Sequence, residues 1–170
     1  RDLHSFPTRR SSDLEPVLLS FIAVLGCKKD KSDDCPRTEY FYGYKINAQV
    51  DTLRTQANWL AAFAANGDSL VFNYIMDYTT CPDIADGGIT EILFFEADPA
   101  VTSFEYDAAD FQQAMVYFRR VCFCTEKGFV VPTGGTIKGT KLGTNSWKVD
   151  FDIVINNNEH IKNSGTFILQ

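Results

Sequence analysis

Apolar side chains alternate with polar ones along residues 147–155, and no other stretch limits the possible folds of this chain as strongly. Because successive side chains of a β-strand point to opposite faces, such alternation predicts a strand with one buried face. Asparagines at positions 156–158 would turn the chain, and residues 161–169 are strand-like again, so the segment predicts an antiparallel hairpin. The apolar residues of its first strand are Trp147, Val149, Phe151, Ile153 and Ile155.

Strand-like segments of this kind recur from residue 39 to residue 170. They are rich in aromatic and β-branched residues, and glycine, proline, asparagine and aspartate separate them. Short strands at this density indicate a single, mainly β domain over residues 39–170. The expected architecture is an antiparallel β-sandwich or barrel of about eight strands, with at most one or two short helices. Strands are predicted at residues 40–50, 69–78, 89–96, 101–106, 114–124, 135–142, 147–155 and 161–169.

Residues 51–65 fit two different structures. Apolar residues recur there at helical spacing, and Gly67 could end a helix. The dipeptide Asn66-Gly67, however, is the strongest short signal for a β-hairpin turn. Counting outward from that turn places small side chains opposite large ones, which is good cross-strand packing. We therefore favour the hairpin, with the pairs Phe63–Leu70, Ala61–Phe72 and Trp59–Tyr74.

A short apolar run at residues 17–26 ends in Leu25-Gly26-Cys27 and is followed by lysines and aspartates. About ten residues are too few to span a bilayer, which takes about twenty, but they match the apolar core of a signal peptide. The stretch resembles the lipobox of bacterial lipoproteins, in which a small residue precedes a cysteine that is acylated and becomes the new N-terminus. The resemblance implies that residues 15–26 are the remnant of a signal peptide and that Cys27 carries the lipid. The alternative is an ordinary signal peptide with a chance cysteine.

Further resemblances concern the location of the protein. Residues 27–38 would form a flexible, lipidated linker, and the charged residues 28–34 resemble the stretch that Bacteroidota lipoproteins carry when they are exported to the cell surface. Segments 133–137 and 164–167 are similar to those of small β-domains in Bacteroidota lipoproteins, a family that brings no known catalytic residue. The resemblances imply a lipid-anchored outer-membrane protein, with the cell surface favoured over the periplasmic side. Residues 1–14 resemble a translated sequencing-adapter tail and are excluded from fold reasoning.

The composition indicates a folded, acidic domain. Apolar residues make up 45% and aromatic residues 14% of the 170-residue chain, which suffices for a hydrophobic core. The formal net charge is −6, and residues 1–26 hold three basic and three acidic side chains, so the rest of the chain keeps the full negative charge. Such a domain has no electrostatic footprint for nucleic acid. It would also be repelled by anionic headgroups, so the lipid alone would hold it at the membrane.

The cysteine count agrees with export. The chain has five cysteines, and acylation of Cys27 leaves an even number for disulfides in an oxidising compartment. Four cysteines allow three pairings. Cys122 and Cys124 would share one face of a strand, so we expect each to bond with Cys35 or Cys81. A four-thiolate zinc site suits a reducing compartment better, and no metal or cofactor is predicted.

Tyr40, Tyr42 and Tyr44 fall on one face of the first predicted strand. They could form an aromatic platform for a sugar ring or a partner protein. The more ordinary explanation is a half-buried strand whose phenol groups reach water.

No arrangement of residues indicates catalysis. His160 is the one histidine after residue 27, and no nucleophile or acid is spaced locally to use it. Nor does any glycine-rich segment match a phosphate-binding loop. We therefore expect a non-catalytic module that binds a glycan, a peptide or a partner protein. The alternative is a lipocalin-like carrier of a small ligand or a small hydrolase, which predicts a deep pocket, with His160 or carboxylates converging in the enzyme.

Overall fold

A computed structural model describes residues 36–80, 87–122 and 128–170 of the chain. Within these ranges the regular structure consists of nine strands and one short 3-10 turn at Asn156–Asn158. The predicted mainly β fold is confirmed, and the described segments contain no α-helix. The strands are β1 (Arg37–Arg54), β2 (Leu60–Asn66), β3 (Ser69–Thr79), β4 (Ile89–Ala97), β5 (Ser103–Asp107), β6 (Tyr117–Val121), β7 (Gly134–Gly143), β8 (Ser146–Ile155) and β9 (Glu159–Leu169).

The strands form a mixed sheet that curls into a half-barrel. Its order is β5-β7-β8-β9-β1-β3-β4-β6, and β2 pairs with β1 outside this path. Neighbouring strands are antiparallel except β1 and β9, which run parallel where Gly43 pairs with Ile168 and Tyr44 with Leu169. The sequence predicted antiparallel strands throughout, so this central parallel pair departs from the prediction.

Aromatic rings fill the inner side of the curl. The ring centroids of Phe72 on β3 and Trp147 on β8 lie 5.6 Å apart, although β9 and β1 separate these strands in the sheet. The contact is possible because the sheet bends until its inner faces meet. Near the two ends of the sheet, Phe104 on β5 lies 5.8 Å from Phe95 on β4. Each fully buried large apolar side chain contributes about 1.5–3 kcal/mol, so this ring cluster is the main core.

The C-terminal hairpin forms as predicted. β8 and β9 pair without interruption from Ser146 opposite Ile168 to Ile155 opposite Glu159. Asn158 adopts a left-handed backbone with φ 60° in the turn, which asparagine tolerates better than most residues. All five predicted inner residues of the first strand are buried: Trp147, Val149, Phe151, Ile153 and Ile155.

Residues 51–65 belong to strands and a turn, as we favoured, but the predicted strand partner is wrong. β2 pairs with β1 and not with β3, so Phe63 lies opposite Asp51 and Ala61 lies opposite Leu53. Asn66-Gly67 therefore leads the chain from β2 to β3, and both strands pair with β1 in succession.

Local hydrogen bonds explain why the hairpin turns earlier than predicted. The Thr55 N–H donates to the Trp59 carbonyl at 2.9 Å, and the Trp59 N–H donates to Thr55 Oγ1 at 3.1 Å. The Asn58 N–H donates to the Thr55 carbonyl at 2.8 Å, and Asn58 takes the left-handed conformation with φ 61°. Backbone groups of the turn at residues 55–59 are thus hydrogen-bonded within the turn itself. The chain therefore reverses there, ahead of Asn66-Gly67.

A β-bulge divides β1 into two parts. Lys45 pairs with Val71 and Ala48 with Ser69, so β1 contains one residue more than β3 at this point. Asn47, with φ 53°, lies within the bulge. Because an extra residue reverses the side-chain alternation, Ala48 and Val50 point to the outer side of the sheet. There they belong to a second, smaller core cluster with Ala62, Val71, Tyr117 and Phe129.

β6 is shorter than predicted. The pattern predicted a strand over residues 114–124, whereas β6 covers Tyr117–Val121. Met115 has a left-handed backbone with φ 49°, and the Val116 N–H closes a turn by donating to the Phe111 carbonyl at 2.9 Å. Extended structure can start only after this turn.

Candidate functional site

Side chains become more polar from the centre of the inner face toward one mouth of the half-barrel. Cross-strand pairing aligns Tyr44 with Phe72, then Tyr42 with Tyr74, in successive rows. The next row runs across four strands and is the first with charged groups: Tyr40 on β1, Met76 on β3, Glu91 on β4 and Arg120 on β6. We call this row, together with Glu159, the polar rim.

The three tyrosines predicted as a binding surface occupy three depths. Tyr40 is 53% exposed, Tyr42 is half-buried and Tyr44 is 2% exposed. The predicted surface is therefore wrong for Tyr44, which packs in the main core. Tyr40 and Tyr42 remain together at the mouth, with ring centroids 6.3 Å apart and ring planes 17° from parallel. The outer ring, Tyr40, is thus exposed to solvent, and the inner ring, Tyr42, lies beneath it.

Hydrogen bonds fix the inner ring. The Tyr42 hydroxyl donates to Asn163 Oδ1 at 2.8 Å, and Asn163 Nδ2 donates to the Tyr74 hydroxyl at 3.2 Å. Burial is the main cause that raises the pKa of both tyrosines, and the Glu91 carboxylate raises the pKa of Tyr74 further. Both hydroxyls therefore keep their protons at neutral pH.

Gly165 on β9 makes room for the Tyr42 ring. A Cβ atom at position 165 would lie 2.3 Å from the nearest ring carbon of Tyr42. The ring therefore lies directly against the β9 backbone, and its position depends on the absence of a side chain there.

An ion-pair network joins β4, β6 and the start of β9. Arg120 donates to Glu91 Oε1 from Nη2 at 2.6 Å and from Nε at 3.0 Å. It also binds Glu159 with two parallel hydrogen bonds, of 2.8 and 3.0 Å. Hydrogen bonding to Arg120 lowers the pKa of Glu159, and the bonds with Glu159 are the main cause that raises the pKa of Arg120. The network carries one net negative charge and fastens the end strand β6 to β9.

No sequence pattern predicted this network. Glu91 is 7% exposed and lies in β4 between Ile89 and Leu93, the apolar residues two positions away on the same face. A carboxylate on the same face of the strand as Leu93 and Phe95 was the available signal, since a buried charge needs a partner. The identity of that partner depends on the pairing of β4 with β6.

His160 lies away from the tyrosines. Its Nδ1 atom is 2.7 Å from Asp152 Oδ1, and Lys162 Nζ is 2.7 Å from Asp152 Oδ2. The hydrogen bond from Lys162 is the main cause that lowers the pKa of Asp152, and the bond with His160 lowers it further. All three side chains alternate with the buried residues of β8 and β9, so they lie on the outer face. No group of histidine, cysteine and acidic side chains suited to a metal ion occurs in the part of the chain that the structure describes.

A second concave region lies at the other end of β4. The cavity has a volume of about 580 Å³, and its lining includes the carboxylates of Asp68, Glu96, Asp98 and Asp110. Glu96 Oε1 accepts a hydrogen bond from the Val50 N–H, which ties this carboxylate to β1. Burial, followed by the nearby carboxylates, raises the pKa of Tyr106 at the cavity wall. The cavity is therefore negatively charged.

The predicted lipidation site and most cysteines lie outside the described residues. These are Cys27, Cys35, Cys81 and Cys124, whereas Cys122 directly follows β6. The disulfide pairing therefore stays a prediction. Among residues 36–80, 87–122 and 128–170, no helix is long and apolar enough to cross a bilayer.

Comparison of the chain with protein-family models, with curated proteins and with solved structures gave no match. The polar rim supplies an exposed aromatic ring with guanidinium and carboxylate groups, and the row below it adds the fixed Tyr42 hydroxyl and the Asn163 amide. Such a set suits a ligand that has one apolar face and many hydroxyl groups.

Proposed function

We propose that this protein is a lipid-anchored, non-catalytic binding module that holds a sugar ring at the polar rim. The observation that carries the proposal is the stack of Tyr40 on Tyr42, with Tyr40 half exposed and Tyr42 held by Asn163. A fixed aromatic face accepts the apolar face of a sugar, since little side-chain freedom is lost on binding.

The neighbouring polar groups favour a neutral glycan. Arg120 and Glu159 offer donors and acceptors for hydroxyl groups, and the side chain of Glu159 is 48% exposed. The network of Glu91, Arg120 and Glu159 has a net charge of −1 by its side-chain types, which disfavours uronic or sialic acids.

Two features favour this proposal over the carrier and the hydrolase. A lipocalin-like carrier needs a hollow interior, whereas Phe72, Phe95 and Phe167 are completely buried in the curl. A hydrolase that used His160 would need its partners on the outer face, where His160 binds Asp152, far from the stacked tyrosines.

Removal of the exposed ring tests the sugar site. We expect Tyr40→Ala to weaken binding to a neutral oligosaccharide by about tenfold, or about 1.4 kcal/mol, because the stacking face is lost. The measurement is a screen of neutral and acidic oligosaccharides with residues 28–170, followed by calorimetric titration of the best binder. Phe41→Ala is the matched control, since this ring is 46% exposed on the opposite face. Equal affinities of the Tyr40→Ala variant and the parent would contradict the site.

The proposed anchor is an acylated Cys27 in the outer membrane, with the domain facing the cell surface. Each buried CH₂ contributes about 0.8 kcal/mol, so several acyl chains hold the protein durably. In this compartment Cys35, Cys81, Cys122 and Cys124 would form two disulfides.

Metabolic labelling tests the anchor. In a Bacteroidota host that expresses the full chain, we expect labelled fatty acid on the parent and none on Cys27→Ser. The variant should move from the membrane fraction to the soluble fraction. A Cys27→Ser protein that is labelled as strongly as the parent would exclude acylation at this residue.

A further inference from the structure

The outer face of β1, β3 and β4 carries an apolar strip that is open to solvent. Phe41, Ile75 and Ile92 align across the three strands, and Phe94 lies one row further along β4. Phe41 is 46% exposed, and Ile75, Ile92 and Phe94 are only partly buried. An exposed apolar strip bordered by polar groups is typical of an interaction surface.

Two cavities lie along this strip. One, of about 470 Å³, is lined by Glu39, Tyr40, Phe41, Ile75 and Asp77. The other, of about 190 Å³, is lined by residues of β1 to β4, which include Phe63, Val71, Asn73 and Phe94. Both cavities border the outer face of β3, one at Asp77 and the other at Val71, and six residue steps of an extended chain cover about 20 Å. We call this region the outer groove.

Opposite charges mark the two ends of the outer groove. Asp77 accepts a hydrogen bond from Thr90 Oγ1 at 3.0 Å, and Arg37 pairs with the neighbouring Glu39. Lys45, exposed at the far end, lines the second cavity. Within the described ranges neither Asp77 nor Lys45 forms an ion pair, so each can bind an opposite charge of an occupant.

Two polar atoms of this face have no hydrogen-bond partner among the described residues. These are Asn73 Oδ1 and Arg119 Nε, both buried at the atomic level. Asn73 lines the second cavity, and Arg119 lies across from Ile92 with its guanidinium 5.9 Å from the Phe129 ring centre. An unpaired buried polar atom is costly. A backbone laid in the groove would bring both N–H and C=O groups to this face.

We propose that the outer groove binds an extended peptide segment of a partner protein. Its first inward side chain is basic and pairs with Asp77, its next two are apolar and lie over Ile75 and Phe94, and its last is acidic and pairs with Lys45. Because alternate residues of an extended chain share a face, the binding motif is seven residues long with basic, apolar, apolar and acidic residues at positions 1, 3, 5 and 7. This surface is on the opposite side of the sheet from the stacked tyrosine rings and shares only Tyr40 with the polar rim, so the groove proposal does not rest on the sugar site.

Reciprocal charge changes test the groove. The probes are two fluorescent heptapeptides that differ only at position 1, one basic and one acidic, measured by fluorescence anisotropy with residues 28–170. We expect the parent to prefer the basic peptide about fivefold, in line with one exposed ion pair. The Asp77→Lys variant should reverse this preference. Loss of binding for both peptides with no reversal, or no binding to the parent, would overturn the proposal.

A second pair of variants distinguishes specific binding in the groove from nonspecific binding to exposed apolar residues. Phe41→Ala should weaken binding of the basic peptide at least threefold, whereas Leu142→Ala, at a residue 59% exposed on β7, should leave it unchanged. Equal effects of both variants would argue for unspecific apolar binding. Analytical ultracentrifugation of the parent tests whether the groove is instead a dimer interface. If the parent is a dimer that Asp77→Lys and Phe41→Ala dissociate, the face binds a second copy of the chain and the peptide proposal is overturned.

Discussion

We expect Arg120→Met to lower the free energy of unfolding by about 3–5 kcal/mol, because it leaves the Glu91 carboxylate buried without its partner. Glu91 is 7% exposed and receives two hydrogen bonds from the guanidinium. The same change releases Glu159 and so frees the end strand β6 from β9. Domains are typically stable by about 5–15 kcal/mol, so this loss would remove a substantial share of the total. Urea denaturation measures the difference.

A double variant distinguishes an unpaired charge from lost packing. Glu91→Leu combined with Arg120→Met removes both charges of the buried pair and should recover most of the lost stability. If the double variant is as unstable as Arg120→Met, the damage comes from side-chain packing and the charge argument fails. An Arg120→Met protein within about 1 kcal/mol of the parent would equally contradict it, since surface pairs contribute about that much.

The stability difference between the parent and Arg120→Met should depend on pH. Arg120 lowers the pKa of Glu159 below its usual value of 4.5. A lowered folded-state pKa stabilises the protein above the unfolded-state pKa, and this contribution is lost as the pH falls through the folded-state value. The variant lacks this contribution, so its difference from the parent should narrow as the pH drops below about 4.

Phe72→Ala should lower the free energy of unfolding by about 3–5 kcal/mol, because no neighbour can fill the space of this ring. Phe72 is completely buried, and its ring centroid lies 4.8 Å from that of Phe95 in a parallel stack. Its ring also forms T-shaped contacts with Phe104, Trp147 and Phe167, with centroid distances of 5.5 to 5.6 Å. These rings come from strands on both sides of the parallel pair, so the cavity would open where the two halves of the curl meet.

Urea denaturation, monitored by near-ultraviolet circular dichroism, would measure this loss of stability. Phe63→Ala is the matched control, since that ring is 40% exposed on β2 and should cost about 1 kcal/mol or less. Similar losses for the two variants would show that the sheet does not depend on the ring cluster of the curl.

The alternation of side chains predicted the strands, because burial on one face imposes a period of two on the sequence. The five inner residues of β8 followed from this rule alone. The rule assigns a side chain to a face, but it says nothing about depth along the barrel axis. Tyr40, Tyr42 and Tyr44 therefore look equivalent in the sequence, although only Tyr40 is at the open end.

Strand partners were harder to predict than strands. Asn66-Gly67 carries the residues of a tight hairpin turn, yet the local hydrogen bonds of Thr55, Asn58 and Trp59 close a hairpin earlier. The parallel contact of β1 with β9 and the ion pair of Glu91 with Arg120 depend on which strands become neighbours. A single sequence gives little information about such distant pairs, because their residues satisfy the same local pattern with many partners.

The neighbouring positions of β1 and β9 have a consequence for the order of folding. The contact of Gly43 with Ile168 joins two distant parts of the chain in the middle of the sheet. The polypeptide must therefore close a very long loop, which places it among slow folders of high contact order, with times of about milliseconds to seconds. The two halves of the curl, β5-β7-β8 with β9 and β1-β3-β4-β6, therefore cannot join until residues 159–169 are available to pair with β1.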